Sequence, residues 1–110
     1  MTSENFHIVA EELKKLNPEE KERLLEKIRV EVDETDAKII SLLIKRINLS
    51  NDIGSTKKSL NIPAYDAKRE KEIEEKISSA IDDSRIEKSL KRIYERIIDE
   101  SRAMQRAREK

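Results

Sequence analysis

The sequence of 110 residues is informative first in what it lacks, since it contains no cysteine, one glycine, two prolines and one histidine. So few turn-forming residues exclude most sheet folds and the glycine-rich loops that bind phosphate. The absence of cysteine excludes disulfides, thiolate metal sites and a cysteine nucleophile. The single His7 leaves no basis for a zinc site or a histidine-dependent triad. We therefore expect an all-α protein without a bound metal.

Charge and hydropathy exclude two classes of partner. The 24 Lys and Arg residues balance the 24 Asp and Glu residues, whereas a nucleic-acid partner requires an excess of positive charge on some face. No apolar run approaches the length that spans a membrane, and no signal peptide opens the sequence. The composition predicts a cytoplasmic protein that binds neither nucleic acid nor a membrane.

One very long helix dominates the predicted architecture. It starts at Pro18, directly after the N-cap Asn17, and no helix breaker follows before Gly54, so we expect it over residues 18–59. Such a helix is roughly 60 Å long, whereas a compact chain of this size has a radius of gyration of about 13 Å. The helix would overhang its own protomer, which favours a homodimer. The alternative is a monomer whose long helix breaks near residues 33–36 and folds back.

Shorter helices flank the long one. An amphipathic helix over residues 3–16 forms an N-terminal extension of residues 1–17 in front of a domain of residues 18–110. Asp66 caps a helix that follows the long one, and Ser84 opens the last helix with a capping box.

Several polar residues lie where the helical period places apolar ones. Arg46 follows Leu42 by one turn and precedes Leu49, and Lys57 lies on the same face three turns further on. The residues of this kind are Arg46, Lys57, Asp66, Arg69, Glu70, Ser101 and Gln105. A polar cluster whose charges pair with one another is one interpretation. However, three cations against two carboxylates leave unpaired positive charge in the interior, so we favour a pocket for a small anion.

Arg29 is a separate case, because seventeen residues rotate it by roughly 100° from Arg46 on the same helix. It is either an ordinary surface arginine or a residue that reaches the pocket of a second protomer. Near Ser101 the sequence offers no histidine, and no acid–base pair has the spacing that activates water. Catalysis here would rest on holding a substrate and stabilising its charge, as in a unimolecular rearrangement or fragmentation.

The polar positions occur in an order that resembles the all-α, type II class of chorismate mutase. The matching motifs are Arg29-x6-Asp36, Ile39-Ile40-x-Leu42-Leu43-x2-Arg46, Ile53-Gly54-x2-Lys57, Ile62-Pro63-x-Tyr65-Asp66-x2-Arg69-Glu70 and Ile97-Ile98-x2-Ser101-x3-Gln105. The resemblance covers residues 24–108. It implies an intertwined homodimer of three-helix protomers that converts chorismate to prephenate in phenylalanine and tyrosine biosynthesis. It also implies that no cofactor and no covalent intermediate take part.

The resemblance further implies a role for each polar residue. Arg46 and, from the second protomer, Arg29 would bind the two carboxylates of chorismate, with Ser101 assisting. Lys57 and Gln105 would hydrogen-bond the ether oxygen.

The resemblance also implies roles for the remaining three residues. Glu70 would accept a hydrogen bond from the ring hydroxyl, with Asp66 nearby, and Arg69 would organise the carboxylates of the site.

Two other functions remain open from the sequence. Isochorismate-pyruvate lyase uses the same fold and nearly the same cationic pocket. A non-catalytic helical dimer could instead act as a regulatory module. The resemblance does not account for residues 1–17, which we expect to pack on the dimer or to serve regulation.

Overall fold

The computed structural model describes residues 8–108 and contains four helices in that range. They are α1 (Ala10–Leu13), α2 (Pro18–Ser59), α3 (Ala67–Ala80) and α4 (Ser84–Arg108). Residues 8–108 include no strand, so the predicted all-α class is confirmed. The chain divides into two compact units, one ending at Ile44 and one starting at Lys45.

The long helix α2 has the predicted bounds, and both of its ends are fixed locally. At the start, the Glu20 amide donates to Asn17 Oδ1 at 2.8 Å, and the Asn17 amide donates to Glu20 Oε1 at 3.0 Å. This reciprocal pair is a capping box in front of a proline, which needs no donor in the first turn. The helix continues through Gly54, because a single glycine weakens a helix without ending it.

The end of α2 depends on one residue in the left-handed conformation. Asn61 has a φ of 57°, and the Ile62 amide donates to the Lys57 carbonyl at 2.8 Å. The Asn61 amide donates to the Lys58 carbonyl at 3.1 Å. These two bonds form a Schellman motif, which satisfies the last carbonyls of the helix and turns the chain towards α3.

The first helix is shorter than predicted. Of the expected helix over residues 3–16, the part up to residue 7 lies outside the described residues, and α1 comprises Ala10–Leu13 alone. Val9 occupies the N-cap position and its side chain makes no capping hydrogen bond. A single uncapped turn cannot propagate by propensity alone, because nucleation costs more than the first hydrogen bonds return.

The cap of α3 was predicted correctly and that of α4 was not. Asp66 Oδ1 accepts from the Arg69 amide at 3.1 Å. In front of α4, however, Asp83 Oδ1 accepts from the Arg85 amide at 2.9 Å, and Ser84 is the first helical residue. Helices α3 and α4 pack against each other, and Ile77 of α3 is 6% exposed.

In the part of the chain that the structure describes, every helix is too short or too polar to cross a membrane.

Candidate active site

A cavity of about 290 Å³ lies in the second unit, between the C-terminal part of α2, the connection that follows it, α3 and α4. Seven residues predicted from the sequence line it together: Arg46, Lys57, Asp66, Arg69, Glu70, Ser101 and Gln105. Leu49, Ile53, Ile73 and Ile98 supply apolar wall. The cavity therefore combines an apolar lining with a few convergent polar groups, as ligand sites usually do.

Arg46 is held at the cavity by two side chains of α4. Its Nη1 lies 3.5 Å from Ser101 Oγ, and its guanidinium lies over the Tyr94 ring, 5.8 Å from the centroid. Ser101 is 5% exposed and donates its hydroxyl hydrogen to the Ile97 carbonyl at 2.9 Å, so it accepts from Arg46. Among residues 8–108, no carboxylate forms an ion pair with Arg46, whose charge stays available for an anion.

Lys57 lies about three turns beyond Arg46 on the same face of α2. Its Nζ donates to the Ala64 carbonyl at 3.3 Å and lies 3.8 Å from Asp66 Oδ2. Only 22% of the Lys57 side chain is exposed. The connection between α2 and α3 thus directs the ammonium group to the cavity while leaving hydrogen-bonding capacity, since an ammonium has three donors.

Gln105 reaches the cavity across the backbone of α2. Its Nε2 donates to the Ser50 carbonyl at 2.8 Å and contacts Ser50 Oγ at 2.9 Å. A Cβ atom on Gly54 would lie 3.0 Å from both Cγ and Cδ of Gln105. The absence of a side chain at Gly54 therefore leaves the space in which Gln105 lies.

The carboxylate of Glu70 is bound from α4 rather than from its neighbour in sequence. Arg102 Nη2 pairs with Glu70 Oε2, and the Arg102 guanidinium lies over the Tyr65 ring, 5.0 Å from the centroid. Arg69 turns its guanidinium to Glu72, one turn further along α3, at 3.0 Å. The self-paired cluster considered from the sequence, in which Arg46 or Arg69 neutralises Glu70 or Asp66, is not what the structure contains.

The charges that line the cavity do not balance. The cations are Arg46, Lys57, Arg69 and Arg102, and the carboxylates are Asp66 and Glu70. Lys57, Arg69 and Arg102 each have a carboxylate partner, whereas Arg46 has none among residues 8–108. A partly buried cavity with such an arginine favours an anionic ligand. No group of His, Cys, Asp and Glu residues in the described range is arranged to hold a metal ion.

Arg29 lies in the first unit, where it pairs with Glu26 at 3.1 Å and its side chain is 63% exposed. Within the chain it is a surface residue.

Four residues that contact the site were missed from the sequence: Ser50, Tyr65, Tyr94 and Arg102. Ser50 and Arg102 could have been found from helical spacing, because residues four positions apart lie on the same helix face. Ser50 follows Arg46 by four positions, and Arg102 follows Ile98 of the cavity wall by four. Tyr94 of α4 contacts Arg46 of α2, and Tyr65 of the connection before α3 contacts Arg102 of α4; no local pattern indicates either contact.

Comparisons with known proteins agree on one family. A family model described as chorismate mutase type II matches residues 28–106. The chorismate mutase of Methanocaldococcus jannaschii is 31% identical over 83 residues, which make up 74% of this chain and 84% of that protein. A solved structure of chorismate mutase (form II) from Thermus thermophilus superposes with a TM-score of 0.70 at 26% identity. That match covers 74% of this chain and 93% of the other.

Proposed function

This chain belongs to the type II chorismate mutase family, and on that premise we propose how its cavity carries out the family's reaction, the rearrangement of chorismate to prephenate. The enzyme is an isomerase, and the resemblance found in the sequence is confirmed. One observation above all supports the roles below: seven polar residues from three helices and a connection line a single cavity, in which Arg46 has no carboxylate partner among residues 8–108. Chorismate carries two carboxylates, of which Arg46 can bind one.

Arg46 binds one of the two carboxylates in this proposal. The guanidinium is fixed by Ser101 and Tyr94 and has no carboxylate partner among residues 8–108, so it can meet the substrate as a planar, two-pronged donor. Ser101 assists by orienting it. The second carboxylate is bound by Arg29 of a second copy of the chain.

Lys57 and Gln105 act on the ether oxygen. As the C–O bond breaks, this oxygen gains negative charge, and a donor placed there stabilises the transition state more than the ground state. The Lys57 ammonium is held by Ala64 and Asp66 and keeps a hydrogen for the ether oxygen. Both hydrogens of the Gln105 amide are directed at Ser50 in the free chain, and in this proposal the one at Ser50 Oγ turns to the ether oxygen when chorismate binds. One such donor typically lowers the activation free energy by about 3 kcal/mol.

Glu70 accepts a hydrogen bond from the ring hydroxyl. Asp66 caps α3, and its Oδ2 lies 3.8 Å from Lys57 Nζ and helps to hold that ammonium group at the cavity. Arg69 contributes positive charge to the lining, although its closest carboxylate is Glu72. The reaction in this scheme is unimolecular and proceeds without a covalent intermediate or a cofactor, since the residues supply positioning and electrostatic stabilisation.

The homodimer is supported by the apolar surface that α2 leaves uncovered in a single chain. Leu42 is 64% exposed, and six further apolar residues of α2 outside the cavity wall are exposed by 46% or more: Leu25, Val30, Val32, Ile39, Ile40 and Ile44. An exposed apolar surface of this extent marks an interface. A second copy offers the same surface, so two α2 helices can cover each other and place Arg29 of each at the site of the other.

Residues 1–17 lie outside the catalytic domain of residues 18–110 in this proposal. In support, the match to the family model begins only at residue 28.

The direct test is ultraviolet detection of chorismate consumption, with Lys57→Ala as the variant and Lys58→Ala, an exposed neighbour, as the matched control. We expect turnover by the wild type, an unchanged rate for the control, and a loss of more than about 100-fold in kcat/KM for Lys57→Ala, equivalent to the removal of one transition-state donor.

Two results would contradict the proposal. Release of pyruvate from isochorismate without loss of chorismate would assign the cavity to the lyase reaction. Equal turnover by the two variants would show that Lys57 does not act on the reacting atoms.

A further inference from the structure

Arg102 is a charged residue of the cavity to which the proposed reaction assigns no part. It follows Ser101 directly and precedes Gln105 by three residues, so α4 directs all three towards the cavity. About 30% of its side chain is exposed, and its guanidinium crosses from α4 to Glu70 on α3. An arginine this close to the reacting groups either binds substrate itself or controls a residue that does.

The contacts of Arg102 favour control of Glu70. The guanidinium pairs with Glu70 Oε2, stacks on Tyr65 at 5.0 Å and lies 4.0 Å from Asp99. A planar cation held by a ring on one side and by two carboxylates has little freedom to turn towards a substrate. Arg102 is therefore placed as part of the wall, with its charge directed at one oxygen of Glu70.

Without that pair, other cations would compete for the same carboxylate. Lys57 and Arg69 line the same cavity, and a flexible glutamate could turn to either of them. Each such pair would neutralise a positive charge needed for the substrate and would remove the acceptor from the ring hydroxyl.

We propose that Arg102 is a positioning residue that binds Oε2 of Glu70 and thereby keeps the other oxygen directed at the ring hydroxyl of the substrate, with Tyr65 fixing the guanidinium. This rests on the proposed role of Glu70 in the mutase reaction. Arg102 acts through Glu70 and makes no contact with the reacting atoms.

A double-mutant cycle tests this inference. Arg102→Gln is introduced into the wild type and into Glu70→Gln, and chorismate turnover of the four proteins is compared with that of Arg106→Gln, an exposed arginine one turn further along α4. A misplaced catalytic group commonly costs between 10- and 100-fold, so we expect kcat/KM to fall by roughly tenfold or more for Arg102→Gln in the wild type. In the Glu70→Gln background the same substitution should change kcat/KM by less than about twofold, because the group it positions is gone.

Arg102→Lys provides the conservative comparison and replaces Arg102→Gln if that variant does not fold. Lysine keeps the charge but loses the planar fork and the stack on Tyr65, so we expect activity between that of the wild type and that of Arg102→Gln. Circular dichroism and melting temperature of each variant show whether it is folded.

The outcomes separate the inference from the function on which it rests. Wild-type chain that leaves chorismate unchanged would overturn both. An active wild type whose Arg102 substitution has no effect, or the same effect in both backgrounds, would overturn the role of Arg102 alone. Reduced activity of Arg106→Gln to the same degree would reveal a general effect of charge on α4 and would also overturn it.

Discussion

At the scale of single residues, Gly54 decides whether Gln105 can lie across α2. The glycine is in a helix interior, where it is less favourable than alanine by about 0.5–1 kcal/mol. A Cβ atom there would lie 3.0 Å from two atoms of the Gln105 side chain. Glycine at this position therefore lowers the stability of the helix but leaves the space through which the Gln105 amide reaches the cavity.

Gly54→Ala should separate stability from activity. We expect the melting temperature to stay level or rise, because alanine favours the helix. We expect kcat/KM for chorismate to fall by roughly tenfold, because Gln105 is displaced from Ser50 and from the ether oxygen. Ser55→Ala, at the exposed position next to it, is the control. Equal kinetics for the two variants would show that the space above Gly54 has no part in placing Gln105.

At the scale of helices, the sequence predicted what local chemistry determines. The bounds of α2 follow from Asn17, Pro18 and a run without breakers, and these act within one turn. The cap of α4 could not be chosen in the same way, because Asp82, Asp83 and Ser84 can each accept from an early amide and only their backbone angles decide.

The candidate site, too, was predicted where local helical spacing decides and missed where side-chain conformation decides. Helical spacing placed Arg46, Lys57 and Gln105 on inward faces, and the structure brings them to one cavity. The choice of Arg102 over Arg69 as the partner of Glu70 depends on side-chain conformations across two helices, which periodicity does not encode.

The packing of α3 against α4 carries a dependence on pH through Glu87. The Ser78 hydroxyl of α3 and the Lys91 ammonium of α4, whose Nζ lies 3.2 Å from Glu87 Oε1, lower the pKa of Glu87 below its ordinary value of 4.5. A lowered pKa means that the carboxylate stabilises the folded state above 4.5 and that this contribution is lost as the pH falls through the lowered value.

Glu87→Gln should therefore destabilise the protein at neutral pH and much less in acid. Urea unfolding of wild type and variant at about pH 7 and about pH 3 measures the difference, which should shrink on acidification. Glu95→Gln, at an exposed position of the same helix, should show little difference at either pH. A difference for Glu87→Gln that persists undiminished in acid would mean that the ionised carboxylate is not its source.

At the scale of the whole molecule, the proposed active site is shared between two chains. In a single chain Arg29 pairs only with Glu26 among the residues described, and apolar side chains of α2 are exposed. Two copies would cover these side chains and bring a further arginine to each cavity, which would complete the binding of a dicarboxylate. Sedimentation of the wild type should accordingly give the mass of a dimer.

Complementation between two inactive variants tests this shared site most directly. Arg29→Ala and Lys57→Ala each impair every site of their own homodimer, but a mixed dimer contains one site with both residues intact. After the two variants are unfolded and refolded together, random pairing should restore chorismate turnover to about a quarter of the wild-type level. A mixture that stays as inactive as its components, although sedimentation shows dimers, would contradict the account.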